Sequence, residues 1–232
     1  MKTIGLLGGV SWHSTLEYYR LINEIAYIKL GGNNSAKMLI YSFNFHEIRA
    51  LHEESEEKLC KRLIFEAQNL ERAGADCLII GANTLHIFYQ DIQANLEIPV
   101  IHIAQATAKA IKAMQMTKVG LLATKITMER KFYADILNDF GISTIVPLEN
   151  DRKIISDIIY NLLVKGIILK ESKEEYLQII NKLINENNIK GLVLGCTEVP
   201  LLIKPHDVPI ATFNTTEIHA AEAVCFALGI DI

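Results

Sequence analysis

Short apolar runs alternate along this chain with longer segments in which apolar residues recur every three to four positions. The runs predict strands at Thr3–Leu7, Met38–Tyr41, Cys77–Ile80, Val100–His102, Val119–Leu122, Thr144–Val146, Gly191–Leu194 and Ile210–Ala211. Several, such as Leu78-Ile79-Ile80 and Leu192-Val193-Leu194, are unbroken rather than alternating, which fits strands buried on both faces. The periodic segments predict helices at Ser14–Lys29, Glu54–Ala73, Ala104–Met114, Met128–Phe140, Asp151–Lys165, Lys173–Glu186 and Thr216–Leu228. Regular alternation of the two predicts an α/β protein with mostly parallel sheets flanked by helices.

The pattern also repeats. Lys2-Thr3-Ile4-Gly5-Leu6-Leu7 matches Thr117-Lys118-Val119-Gly120-Leu121-Leu122, an offset of 115 residues between Gly5 and Gly120. Leu78-Ile79-Ile80-Gly81 matches Leu192-Val193-Leu194-Gly195, an offset of 114. Two matches in nearly the same register indicate an internal duplication. Two similar lobes are therefore expected: 1–99 together with about 212–232, and 100–211. Loops at the carboxyl ends of the strands are expected to converge on an active site in the cleft between them.

Composition narrows the function classes. The 232 residues carry a net charge of −4 with no basic cluster, which argues against a nucleic-acid partner. No stretch is long and apolar enough to predict a membrane span, and the apolar run after Lys2 is too short for a secretory leader. The four cysteines (Cys60, Cys77, Cys196, Cys225) are far apart and contain no Cys-x-x-Cys, as expected of a reducing, cytoplasmic setting. The seven histidines show no metal-ligand spacing, so no metal is expected. The run Glu53-Glu54-Ser55-Glu56-Glu57 reads as the first turn of a helix, where acids favour the positive end of the helix dipole.

Four strand-end loops could carry chemistry: Gly8-Gly9-Val10-Ser11-Trp12-His13-Ser14-Thr15, Ala82-Asn83-Thr84-Leu85-His86, Ala123-Thr124-Lys125-Ile126-Thr127 and Cys196-Thr197-Glu198. The first lacks the Gly-x-Gly-x-x-Gly spacing of a dinucleotide site, and no acid follows the second strand to hold a ribose. The set offers hydroxyls, an amide and one thiol, which suits a small carboxylated substrate. Cys196, just past a strand and at a helix start, has the setting for a lowered thiol pKa. Cys60, Cys77 and Cys225 lie inside predicted elements and read as small buried hydrophobes. Trp12 reads as packing, and His13, His46, His102, His206 and His219 as structural.

Gly8-Gly9-Val10-Ser11-Trp12, Ala82-Asn83-Thr84-Leu85-His86 and Gly195-Cys196-Thr197-Glu198 resemble the signature loops of the aspartate/glutamate racemase family, its aspartate branch in particular. The similarity runs from Met1 to about Gly229. It implies stereoinversion without pyridoxal phosphate or any other cofactor, by two thiols on opposite faces of the amino-acid α-carbon, in a homodimer. By position, Cys196 resembles the thiol acting on the L-face, while the other thiol is replaced by Ala82. Asn83, Thr84, Thr124 and Thr197 match positions that hold the substrate's carboxylate and amino groups, and Val10, Ser11 and Thr127 join them as substrate-binding candidates. Arg49 and Lys165 match two basic residues near the site; the plainer reading makes Arg49 a solvent-facing loop residue and Lys165 a helix C-terminal cation. His52 is a rim candidate. Glu198 either orients the substrate amine or caps its helix. His86 either reaches the vacant face as a proton carrier or is hydrogen-bonded structurally.

The resemblance implies an amino-acid racemase, asymmetric or slow because position 82 is alanine. Two alternatives are a single-cysteine decarboxylase or isomerase of a small dicarboxylate, and a non-catalytic amino-acid-binding relative.

Overall fold

The computed structural model describes residues 1–230. In chain order its elements are β1 (Ile4–Gly8), α1 (Trp12–Leu30), β2 (Met38–Ser42), α2 (Phe45–Glu54), α3 (Glu56–Arg72), β3 (Cys77–Ile80), a 3-10 turn (Thr84–Phe88), α4 (Tyr89–Ala94), β4 (Val100–Ile101) and α5 (Ile103–Ala113). Then come β5 (Lys118–Ala123), α6 (Lys125–Glu129), α7 (Lys131–Asp139), β6 (Ser143–Ile145), α8 (Glu149–Asn161), a 3-10 turn (Leu163–Lys165), α9 (Lys170–Asn187), β7 (Gly191–Gly195), α10 (Val199–Leu202), a 3-10 turn (Pro205–Asp207), β8 (Ala211–Asn214) and α11 (Thr215–Leu228). The chain divides into two units: Met1–Ile103 with the segment from Thr216 onward, and Ala104–Thr215.

Each unit holds one four-stranded parallel sheet, ordered β2-β1-β3-β4 in the first and β6-β5-β7-β8 in the second. The second order is the first with every strand moved on by four. The register repeats as well: Gly5 lies opposite Leu39 and Leu78, and Gly120 lies opposite Ile145 and Leu192. The duplication read from spacing is therefore a duplication of strand order and register.

In the first unit the unbroken apolar strands are explained by what covers them. One face of the sheet, with Ile4, Leu6, Cys77 and Ile79, packs on Tyr18, Ile22 and Ala26 of α1 and on Ala220, Ala223 and Val224 of α11. The other face, with Leu7, Leu78, Ile80 and Val100, packs on Leu59, Leu63, Ala67 and Leu70 of α3. Alternate residues thus enter different cores, and truncating any of these leucines to alanine costs about 2–5 kcal/mol.

Local chemistry moves several expected boundaries. The helix expected over 54–73 is two helices meeting at Ser55, whose extended backbone (φ −167°) ends α2 and whose Oγ accepts from the Lys58 N–H at the start of α3. Only Glu56 and Glu57 of the acidic run sit in that first turn. The helix expected over 128–140 breaks at Arg130, which is extended. The helix expected over 151–165 ends at Asn161, and its last residues form a 3-10 turn closed by Gly166 at φ +73°. Residues 100–101 belong to the first unit rather than the second, because Val100 pairs with Leu78 of β3. At the other end, β8 pairs with β7 over 211–214, so the return to the first unit comes after it and not at 212. Residues 231–232 of that expected return lie outside the described residues.

Three histidines are sealed inside the first unit. The His219 Nε2–H donates to the Ile101 carbonyl at 2.7 Å, and its Nδ1 accepts from the Tyr18 hydroxyl at 2.8 Å. The His86 ring lies 4.9 Å from that of His102 and 5.5 Å from that of His219. Burial holds all three neutral, pushing His86 down to about 4, His219 to about 3 and His102 to about 2. The unfolded chain takes up these protons near pH 6.5 and the folded chain does not, so stability is complete above that pH and falls as the pH drops. Each histidine contributes up to about 1.4 kcal/mol per pH unit between 6.5 and its folded value. Melting temperature should therefore fall steeply between pH 6.5 and 4, and His102→Gln should flatten that slope in a thermal-denaturation series.

Candidate active site

In the first unit the loop after β1 is shaped by backbone contacts. Gly8 accepts from the Phe43 N–H at 3.0 Å, and Gly9 sits at φ +83° with its Cα so close that an added Cβ would lie 2.2 Å from Phe43 backbone atoms. No other residue type fits there. The Gly9 N–H donates to Thr15 Oγ1 at 2.6 Å, and that hydroxyl donates to the Ser11 carbonyl at 3.2 Å. Thr15 thus ties the loop to the first turn of α1. Ser11 is buried with its Oγ 3.4 Å from that of Ser14, and half-buried Val10 packs on the core beneath. Trp12 corrects an expectation: it is 62% exposed and stacks on His13 instead of packing inside.

The loop after β3 holds Ala82, Asn83 and Thr84. Ala82 is 8% exposed and Asn83 is buried. His86 donates from Nδ1 to the Ala82 carbonyl at 2.9 Å, and its Nε2 accepts from the Ile103 N–H at 3.3 Å. Both ring nitrogens are used by backbone and the ring is held neutral, so the reading of His86 as a proton carrier is withdrawn in favour of the structural one. Arg49 is not on a loop but on α2, half-exposed, with Nη2 3.6 Å from Glu53 Oε1 one turn on. His52 lies on the same helix with Nε2 3.8 Å from Glu56 Oε1. A groove of about 350 Å³ between α3 and α4, lined by Glu57, Cys60, Phe88 and Asp91 among others, contains none of the expected site residues.

In the second unit the loops follow the equivalent strands. Thr124 caps α6: its Oγ1 accepts from the Thr127 N–H at 3.4 Å and lies 3.0 Å from Thr127 Oγ1, both residues buried. Past β7, Gly195 packs so tightly that a Cβ would meet Leu121 Cδ1 at 2.8 Å. Cys196 follows, 7% exposed, and its Sγ donates to Glu198 Oε2 at 3.0 Å. Thr197 Oγ1 donates to the same oxygen at 2.6 Å. Glu198 is therefore the acceptor of two side chains of its own loop, and it makes no side-chain cap to α10. Lys165 is exposed, in a 3-10 turn that packs against α10.

The thiol is not activated in the resting protein as expected. Burial raises the Cys196 pKa well above the usual thiol value, and the charge of Glu198 raises it further. The N–H groups of Glu198 and Val199 pull it down but are outweighed. The helix that follows is a single turn, Val199–Leu202, so the dipole expected at its start is slight. Tyr176 of α9, not among the expected site residues, is fully buried, donates to the Ile155 carbonyl at 3.3 Å and is close enough to feel both Cys196 and Glu198.

Chemically, the second unit presents a neutral thiol with a carboxylate oxygen positioned to receive its proton. The equivalent loop of the first unit presents a methyl group.

A family model described as Asp/Glu/hydantoin racemase matches residues 7–223. The broad specificity amino-acid racemase RacX of Bacillus subtilis (strain 168) is 30% identical over 143 residues, 60% of this chain and 61% of that protein. The glutamate racemase of Pasteurella multocida (strain Pm70) is 28% identical over 152 residues, 65% of this chain and 55% of that protein. The matched stretch thus spans little more than half the length of these curated relatives. Among solved structures, a Yersinia pestis protein provisionally described as an Asp/Glu racemase is 41% identical, with a TM-score of 0.91 over 98% of this chain and 100% of the other. An aspartate racemase homologue from Pyrococcus horikoshii OT3 is 36% identical, with a TM-score of 0.86 over the same 98% and 100%.

Two measurements test this geometry. Gly9→Ala should lower stability by on the order of 3 kcal/mol, the sum of left-handed strain and a backbone clash, read by urea denaturation. Glu198→Gln removes the charge that holds the thiol up, so iodoacetamide should alkylate Cys196 faster than in the unaltered protein at pH 8, followed by mass spectrometry.

Proposed function

Because the chain belongs to the Asp/Glu/hydantoin racemase family, we propose that it inverts the α-carbon of aspartate, glutamate or a related amino acid, with Cys196 as the base. The observation that carries this reading is the hydrogen bond from Cys196 Sγ to Glu198 Oε2. As substrate displaces water, the S–H bond breaks and its proton passes to Glu198 Oε2. The thiolate then takes the α-hydrogen, which leaves its electron pair on carbon. That carbanion is poor unless fixed dipoles and positive groups hold it. Asn83, Thr84, Thr124, Thr127, Thr197 and the Val10–Ser11 backbone are the candidates to hold the amino and carboxylate groups. Arg49 or Lys165 would take a side-chain carboxylate, Arg49 as a bidentate clamp.

Inversion needs a proton delivered to the opposite face, because one fixed base returns it to the face it came from. Ala82 cannot deliver it, so the reaction is asymmetric or slow, with water completing the far-face step. In deuterium oxide, proton NMR should show α-hydrogen exchange into the L-isomer faster than the D-isomer appears. Cys196→Ser should abolish both. Glu198→Gln should slow exchange by about 100-fold or more while its thiol alkylates faster, since it loses the proton acceptor and the charge together. Ala82→Cys should speed inversion of the D-isomer. Equal exchange from both enantiomers in the unaltered protein would sink the asymmetric reading.

Ala82 also favours a second reading. A decarboxylase of a small dicarboxylate needs one thiol to deliver one proton, since loss of carbon dioxide itself generates the carbanion; an isomerase of a small dicarboxylate is the other single-cysteine form of this reading. Turnover of a malonate or of maleate, without exchange into amino acids, would select it.

A further inference from the structure

The chain leaves the first unit at Ile103–Ala104 and returns to it at Thr215–Thr216. Buried side chains hold both passages. β4, the edge strand that leads to the first passage, is two residues long and pairs only Val100 and Ile101 with β3, so the sheet gives it little hold. Two histidines add to that hold: the Ile103 N–H donates to His86 Nε2 at 3.3 Å, and the Ile101 carbonyl accepts from the His219 Nε2–H at 2.7 Å. The second passage lies in the first turn of α11. There the Thr215 hydroxyl donates to the Leu194 carbonyl of β7 at 3.0 Å. His219 follows four residues on, on the same face of the helix. Each histidine is engaged at its other nitrogen as well. The His86 Nδ1–H donates to the Ala82 carbonyl at 2.9 Å, and His219 Nδ1 accepts from the Tyr18 hydroxyl at 2.8 Å. An apolar residue of similar size would fill either place and leave buried backbone or hydroxyl groups unsatisfied.

Taken in order, these bonds make one series. It runs from the Leu194 carbonyl to Thr215, along one turn of α11 to His219, across to Ile101, along the chain to Ile103, across to His86 and on to the carbonyl of Ala82. Leu194 stands two residues before Cys196, so the series has one of the two strand-end loops at each end. We propose that Thr215, His219 and His86 are positioning residues for inversion, linking the main chain ahead of Cys196 to the main chain at Ala82 so that a displacement at either loop reaches the other. This role rests on the reaction proposed above, and it concerns the second half of that reaction. Cys196 takes the α-hydrogen with groups of its own loop. Delivery of a proton on the far face depends on where the Ala82 loop stands, and a misplacement of about 1 Å costs about 100-fold. The coupling needs no contact beyond these bonds and the chain between them.

Deuterium oxide separates the two halves, with L-aspartate and L-glutamate as probes. Variants are compared by α-hydrogen exchange into the L-isomer, by appearance of the D-isomer, and by amide hydrogen exchange over residues 82–86. His86→Asn keeps a donor at the δ position for the Ala82 carbonyl and has nothing at the ε position for Ile103. Thr215→Val removes the hydroxyl from Leu194. Each should slow appearance of the D-isomer about 10- to 100-fold, with exchange into the L-isomer and its KM held within about twofold. The double variant should be no slower than the slower single one, because a series already broken has no second link to lose, whereas independent supports multiply their effects. His219→Leu should behave like the single variants, and His219→Gln, which restores a donor for Ile101, should recover most of the rate. If His219→Leu fails to fold, Tyr18→Phe removes only the bond to Nδ1 and should show the same pattern more weakly. Amide exchange over 82–86 should quicken about tenfold in Thr215→Val, although the Thr215 hydroxyl bonds to Leu194 and not to that segment. This last measurement needs no turnover. An unaltered protein that exchanges no substrate sinks the reaction, and the links then stand or fall on the amide exchange. An unchanged D-isomer rate in His86→Asn, multiplied effects in the double variant, or unchanged amide exchange in Thr215→Val would each overturn the proposal.

Discussion

A thiol and a carboxylate oxygen 3.0 Å apart, in a place with almost no exposure, form the constraint on which the second unit's chemistry depends. Burial opposes a thiolate and opposes it more with an anion alongside. In the reaction proposed above, one proton moves between sulfur and oxygen without creating a second charge. The surrounding architecture keeps that geometry narrow. β7 is buried along its whole length, Gly195 lets the turn sit against Leu121 and Ala123, and Thr197 donates to the same carboxylate oxygen. Tyr176 of α9 is buried close enough to feel both groups.

The duplication sets the terms of the function. Two sheets with the same order and register place Gly81 and Gly195 at equivalent strand ends, followed by Ala82 and Cys196. A symmetric scaffold therefore carries an asymmetric pair of side chains. The units differ in support as well: a histidine and a backbone carbonyl stabilise the first loop, and a carboxylate accepting two side-chain donors stabilises the second.

Much of this was legible in the sequence because it rests on period and spacing. Unbroken apolar runs marked Cys77–Ile80 and Gly191–Gly195 to within a residue, and the glycine offsets marked the repeat. Interruptions were harder to see, because they depend on single residues whose capping role looks no different from ordinary helix sequence: Ser55 and Arg130 are two such cases. The helix over Phe45–Glu54 leaves little sign in the apolar pattern because it is short and buries only Ile48. Of the candidate site, the loops and their residue types were readable. Their state was not: the sequence places Cys196 before a helix, but only the fold shows that helix to be one turn long and the thiol to be buried. Tyr176 comes near the Cys196 loop by folding and leaves no local mark.

The bond from His86 to the carbonyl of residue 82 has a consequence of its own. It grips that loop by its main chain, one turn ahead, and the Gly81 N–H bond to Leu7 grips it from the strand side. Neither contact involves the side chain at position 82. The path of the chain through that bend is therefore independent of which small residue occupies it. A lineage could exchange sulfur for a methyl group there, or back again, as a change of reagent in an unchanged vessel.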